Sequence, residues 1–209
     1  VAARKAKEQD RKMTAQKREI TRDDILPLET YAAQRKERRA KSAEMKRTRR
    51  LGVGPFCTFY FENYDTMFQQ IHEMLYIEKG GEEQIADELA AYNPLIPNGR
   101  EFVATIMFEI NDAVQRDKEL RRLAHVEDFI FIDIGGERAK AVPEQDVERT
   151  TADGKTSSVH FVHFPLTDEQ AEKFKDPSVD VSLVISHENY GHIAMMPKDV
   201  REALAGDLA

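Results

Sequence analysis

The sequence predicts an α+β fold: a mixed or antiparallel sheet with packed helices, preceded by a basic N-terminal helical arm. Three observations carry this. Strand and helix patterns alternate irregularly along the chain, which argues against a doubly wound parallel sheet. Charge is split: residues 1–50 hold 17 Lys/Arg against 8 Asp/Glu, a net +9, and the remainder carries −16, leaving −7 for all 209 residues. Residues 54–99 place a strand, two helices and a proline-bracketed turn in close succession, a hub for the rest. The expected organisation is a basic extension over 1–19, frayed or disordered, a basic helical arm over 20–50, and an acidic α+β body over 51–209.

The arm begins with residues 2–18, rich in Ala, Lys, Arg, Gln and Glu, where only Met13 offers an apolar anchor. Thr21-Arg-Asp-Asp24 reads as a cap leading into a helix through Arg50, with Ile25, Leu28, Tyr31 and Ala32 docking on the body. Beyond Tyr31 the helix is nearly polar all round and should lie exposed or against something charged. Phe56–Phe61 reads as a buried strand. The next helix, capped by Asn63 or Asp65, sets Met67, Phe68, Ile71, Met74 and Leu75 on one face and ends at Lys79-Gly80-Gly81. Gln69, His72, Glu73 and Tyr76 fall on its polar side, while Glu78 falls on the apolar side.

A helix over 82–92 follows with Ile85, Leu89 and Tyr92 on one face. Asn93-Pro-Leu-Ile-Pro-Asn-Gly99 is a rigid turn that pins Leu95 and Ile96. Strands are expected at 102–110, 128–134, 138–142, 157–164, 179–185 and 193–196, and helices at 112–123, from a Thr167 cap through Phe174, and from Pro197 to Leu208. Gly135-Gly136 is a hairpin turn rather than a phosphate loop, since no Gly-Lys-Ser/Thr follows it. In the 157–164 strand, Val159, Phe161 and His163 face one side and Ser158, His160, Val162 and Phe164 the other.

No nucleotide loop, closed metal-ligand set or nucleophile elbow is present. The single cysteine, Cys57, excludes an internal disulfide and reads as core. No apolar run reaches the length needed to span a bilayer. The strongest local ligand set is His187 and His192 flanking a turn with Glu188, which would still need a distant ligand for zinc or iron. Glu73 and Glu78 are the buried-polar candidates, with the plainer reading that Glu73 is solvated or pairs with an arginine and Glu78 reaches solvent. No cofactor is required by the sequence. Arg35, Arg38, Arg39, Lys46, Arg47, Arg49 and Arg50 form the candidate partner-binding surface.

The segments YFEN (60–63), TMFQQIHEMLYIE (66–78), AYNPLIPNG (91–99) and ERTTADGKTSSVHFVHF (148–164) resemble an uncharacterised, mostly bacterial family of domains of unknown function, DUF3501-like, from about Ile20 to the C-terminus. Genes of that family often neighbour those for rubrerythrin and an iron–sulfur oxidoreductase related to heterodisulfide reductase. The resemblance therefore implies an accessory role in redox or peroxide metabolism. Residues 1–19 depart from it.

The expected function is an accessory or interaction protein docking through charged surfaces on an acidic protein surface or redox partner protein, with a homo-oligomer as a further option. One alternative is a metal-dependent or acid/base enzyme using the His187/His192 turn with the hub-helix carboxylates; the other is nucleic-acid binding by the arm. The latter is disfavoured because the −16 body repels phosphates and the arm offers only Tyr31 for stacking. The first 19 residues contain Glu8, Asp10 and Glu19 and no serine, unlike a transit peptide. The expected location is cytoplasmic, or an organelle matrix if Val1 is a processed start.

Overall fold

Strand pairing builds two sheets, both antiparallel throughout. In the computed structural model, which describes residues 17–144 and 149–209, the first sheet holds β1 (Arg50–Val53), β2 (Cys57–Phe61), β3 (Glu101–Phe108), β6 (Val142–Pro143) and β7 (Val159–Pro165) in the order β1-β2-β3-β7-β6. The second holds β4 (Ile130–Ile134), β5 (Glu137–Lys140), β8 (Val181–His187) and β9 (Tyr190–Met195) in the order β5-β4-β8-β9. The sheets face each other and are tied at both edges. At one edge the chain passes from β5 to β6 through Ala141, whose N–H donates to the Ile130 carbonyl at 2.9 Å. At the other, the Tyr190 hydroxyl accepts from Phe56 and Cys57 N–H at 3.0 and 3.1 Å and donates to the Val53 carbonyl at 2.8 Å. Gly54 turns beneath it at φ +72°, where a Cβ would fall 2.5 Å from the His192 ring.

Strand alternation fills the space between the sheets. Cys57, Phe59 and Phe61 from β2, Phe102, Ala104, Ile106 and Phe108 from β3, and Val162 and Phe164 from β7 meet Ile130, Ile132, Leu183 and Ile185 opposite. The outward residues Val103 and Phe161 belong to a second apolar cluster. It is covered by Met67 and Ile71 of α2 (Tyr64–Glu78), Ile85 of α3 (Gly81–Tyr92), Leu95 and Ile96 of the proline turn, and Ile20 and Ile25 from the N-terminal segment. Asn63 caps α2 by accepting from Thr66 N–H at 2.9 Å, and Lys79 ends it in the left-handed region at φ 56°. Helix α4 (Ala113–Arg122), α5 (Asp168–Lys175, capped by Thr167) and α6 (Lys198–Ala205, after Pro197) complete the body.

The arm departs from expectation at both ends. Thr21 and Asp24 do form a capping box, but it closes only a 3₁₀ turn over Arg22–Asp24, because Pro27 forbids the residue before it from staying helical. The long helix α1 starts afterwards, at Leu28, and runs to Lys46; Leu28 and Ala32 are exposed rather than docked. A 3₁₀ turn over Arg47–Arg49 then delivers the chain into β1, where a continuing helix was expected. Arg18, assigned to the extension, is fixed to the body by hydrogen bonds to the Pro97 and Asp207 carbonyls, both 3.0 Å. Residues 1–16 of the expected extension lie outside the described residues. No described helix is long and apolar enough to cross a membrane.

Candidate functional site

Helix α1 lies on the side of α2 that reads as polar in the sequence, and a hydrogen-bonded seam joins them. The Leu26 N–H donates to His72 Nε2 at 3.0 Å, so His72 donates from Nδ1 to the Phe68 carbonyl at 2.7 Å and is neutral; burial pushes its pKa down. One turn on, the Tyr31 hydroxyl donates to Glu73 Oε1 at 2.5 Å and accepts from the Gln69 amide at 2.6 Å. Arg35 clamps the same carboxylate with Nε and Nη2 at 3.0 and 2.8 Å, its guanidinium 4.5 Å from the centre of the Tyr76 ring. Arg35 holds the Glu73 carboxyl below its ordinary range, and burial, reinforced by Glu73, raises the Tyr31 phenol. Glu73 is thus an internal anchor. Glu78 is exposed at the end of α2, where it accepts from the Gln84 amide at 2.9 Å, and is not a buried carboxylate.

The seven basic residues of the candidate surface separate into two groups. Arg35 belongs to the seam. Arg49 is only 4% exposed: it donates to the Phe61 and Glu62 carbonyls, both at 3.0 Å, and forms an ion pair with buried Asp207. It therefore locks the arm to the first sheet and the C-terminus instead of facing a partner. Arg38 bonds Gln34 at 2.9 Å and lies over Phe68, and Arg47 pairs with Glu44 at 3.0 Å. Arg39, Lys46 and Arg50, together with the neighbouring Lys36, have no carboxylate within ion-pair distance among the described residues. Lys36 and Arg39 line an open groove of about 500 Å³ between α1 and α2, shared with Ala32, Arg35, Ala40 and Tyr76. A second, mainly apolar cavity of about 320 Å³ lies under the N-terminal segment among Ile25, Leu26, Leu28, Leu75 and Ile85. The Arg22–Glu82 pair (2.8 Å) borders it.

The histidine turn does not assemble a metal site. His187 and Tyr190 pair across a two-residue hairpin turn. Both imidazole nitrogens of His187 are engaged, Nδ1 accepting from Asn189 N–H and Nε2 donating to the Ala124 carbonyl, each at 3.2 Å. His192 meets the Tyr190 ring edge-on with ring centres 4.4 Å apart, and Glu188 is exposed. Among the described residues no group of three or more His, Cys, Asp or Glu side chains is placed to hold a metal ion.

Two other histidines, on opposite faces of β7, are better connected. His163 sits between carboxylates, Nδ1 3.0 Å from Glu101 and Nε2 2.6 Å from Glu144, which together raise its pKa. On the opposite face of β7, His160 donates to the Ser157 carbonyl at 2.9 Å, leaving Nδ1 3.6 Å from Glu127; burial pushes its pKa down. Cys57 is buried, and burial pushes its thiol up, away from the reactive thiolate.

With this geometry in view, the comparisons place the sequence. The model of the family described as "Protein of unknown function (DUF3501)" matches residues 19–208. The chain belongs to this family. Its fold is similar to a crystal structure of a protein of unknown function from Burkholderia pseudomallei K96243. That protein is 38% identical, with a TM-score of 0.84 over 91% of this chain and 99% of the other. A search of curated proteins finds no match. The family match begins one residue after Arg18, close to where the family resemblance starts in the sequence.

Proposed function

We propose that this DUF3501 chain is an accessory interaction protein that docks on an acidic protein surface through the outer face of α1. The observation that carries the reading is the split of the arm's cations into one that the fold pairs and others that it leaves unpaired. Arg35 is clamped by Glu73, whereas Lys36, Arg39 and Lys46 of α1, and Arg50 at the start of β1, have no carboxylate within ion-pair distance among the described residues. Cations held on a rigid scaffold without an ion-pair partner steer an oppositely charged partner and fix its register. Nucleic acid fits less well, because the acidic body repels phosphates and the ring nearest the groove, Tyr76, already lies under the Arg35 guanidinium. The redox setting that the sequence resemblance implies directs the choice of partner to a redox protein. An accessory role rather than a thiol-based redox reaction is supported by the buried Cys57.

The test is capture from a cell extract with the wild-type chain and with Lys36, Arg39, Lys46 and Arg50 changed together to Glu. Wild type should retain an acidic protein at about 50 mM salt and release it by about 500 mM, as the Debye length contracts to a few ångströms. The variant should fail to retain it with its unfolding midpoint nearly unchanged. Equal capture by both proteins, or tight duplex binding at physiological salt, would overturn the reading.

A further inference from the structure

We infer that one occupant of the basic face is a second copy of this chain, which presents the outer face of α3. The inference rests on the docking reading above and names a partner for it. Helix α3 contains Glu82, Glu83, Asp87 and Glu88 and neither Lys nor Arg. Two of these carboxylates are used internally: Glu82 clamps Arg22, and Glu88 is buried and accepts from the Gln84 amide at 2.8 Å. Glu83 and Asp87 are exposed one helical turn apart, and neither has an ion-pair partner among the described residues. They are the acidic counterpart of Lys36 and Arg39, which are exposed about one turn apart on α1 and equally unpaired.

Shape agrees with charge. Beside the two cations Ala32 and Ala40 line the open groove, together with Arg35 and Tyr76, and beside the two carboxylates Ala86, Ala90 and Ala91 are exposed. Such small side chains let two helix axes approach to about 8 Å, the close end of the packing range, which brings the opposite charges within ion-pair reach. Ile77, the neighbour of groove-lining Tyr76, is 63% exposed and supplies an apolar contact at the end of the seam. A twofold axis makes the arrangement self-complementary: α1 of each copy meets α3 of the other, so every contact is made twice. Exposed ion pairs are individually weak and screened by salt, so the dimer dissociates as ionic strength rises.

Charge exchange tests this directly by sedimentation velocity on the whole chain at low salt. Wild type is expected to sediment as a dimer and to become monomeric at high salt. Lys36→Glu/Arg39→Glu makes both helices acidic, and Glu83→Lys/Asp87→Lys makes both basic, so each variant alone should be monomeric. Mixed in equal amounts they should form a heterodimer, because both α1–α3 contacts then join opposite charges; this recovery also shows that the variants are folded. A monomeric wild type at low salt, variants that dimerise like wild type, or a mixture that stays monomeric although each variant unfolds at the wild-type midpoint, would overturn the inference. If acidic-partner capture persists when self-association fails, the docking reading stands and only the second copy is removed; if both fail, the basic face has no docking role.

Discussion

Between the two sheets, Phe59, Ile106 and Phe164 are fully buried against apolar neighbours, whereas in the helical layer Tyr31, Gln69 and His72 are buried against hydrogen-bond partners. The first region is held by area removed from water, about 1.5–3 kcal/mol for each large side chain. The second depends on geometry, since every buried polar atom there that loses its partner costs about 1–3 kcal/mol. The difference teaches why the arm can be both docked and basic: Tyr31 and Arg35 need polar partners that α2 supplies, and Lys36 and Arg39 have no ion-pair partner among the described residues.

The contrast can be broken from either side. The largest effect is expected from Phe59→Ala, which leaves a cavity between the sheets and should cost about 4 kcal/mol in chemical denaturation. Asp207→Ala should follow at about 3 kcal/mol, because it strands Arg49 in a buried site. If Asp207→Ala instead proved neutral, Arg49 would not be the lock between arm and body.

The His163 bridge sharpens the comparison through pH. Its folded pKa is raised, first by the Glu101 hydrogen bond and then with help from Glu144, above an unfolded value of about 6.5. Its stabilisation is therefore complete below that pH and is lost as pH rises through the folded value. His72 and His160 act oppositely: burial lowers both, so their contribution falls away as pH drops below about 6.5. Urea midpoints measured through this window should fall more steeply with rising pH for wild type than for His163→Gln, and equal slopes would remove the bridge. The smallest change expected is for exposed Glu188→Ala, within about 0.5 kcal/mol.

Much of the fold was legible because apolar alternation and capping residues report local requirements. The 157–164 strand places His160 inward and His163 outward as its period of two requires, and Asn63, Thr167 and the Gly135-Gly136 hairpin act where expected. The polar side of α2 was not legible, since Gln69, His72 and Glu73 have the same spacing whether water or another helix satisfies them. Arg49 is likewise indistinguishable in sequence from Arg47 and Arg50; only the Phe61 and Glu62 carbonyls and Asp207, brought near by folding, set it apart. One overlooked signal was available. Pro27 marks the true start of α1, and it also shows that Thr21 caps only a short turn. At the histidine turn a two-residue hairpin directs His187 into backbone hydrogen bonds, a placement that the spacing of His187 and His192 does not show.

The contrast between a cation built into the fold and one left unpaired is tested most directly by the urea unfolding free energies of Arg35→Gln and Arg39→Gln, measured side by side. Arg35→Gln should lose clearly more stability than Arg39→Gln, because it unclamps Glu73 and disturbs the Tyr31 bond. Arg39→Gln should stay within about 0.5 kcal/mol of wild type. Equal losses for the two substitutions would contradict the account, since Arg39 would then be as much a part of the fold as Arg35.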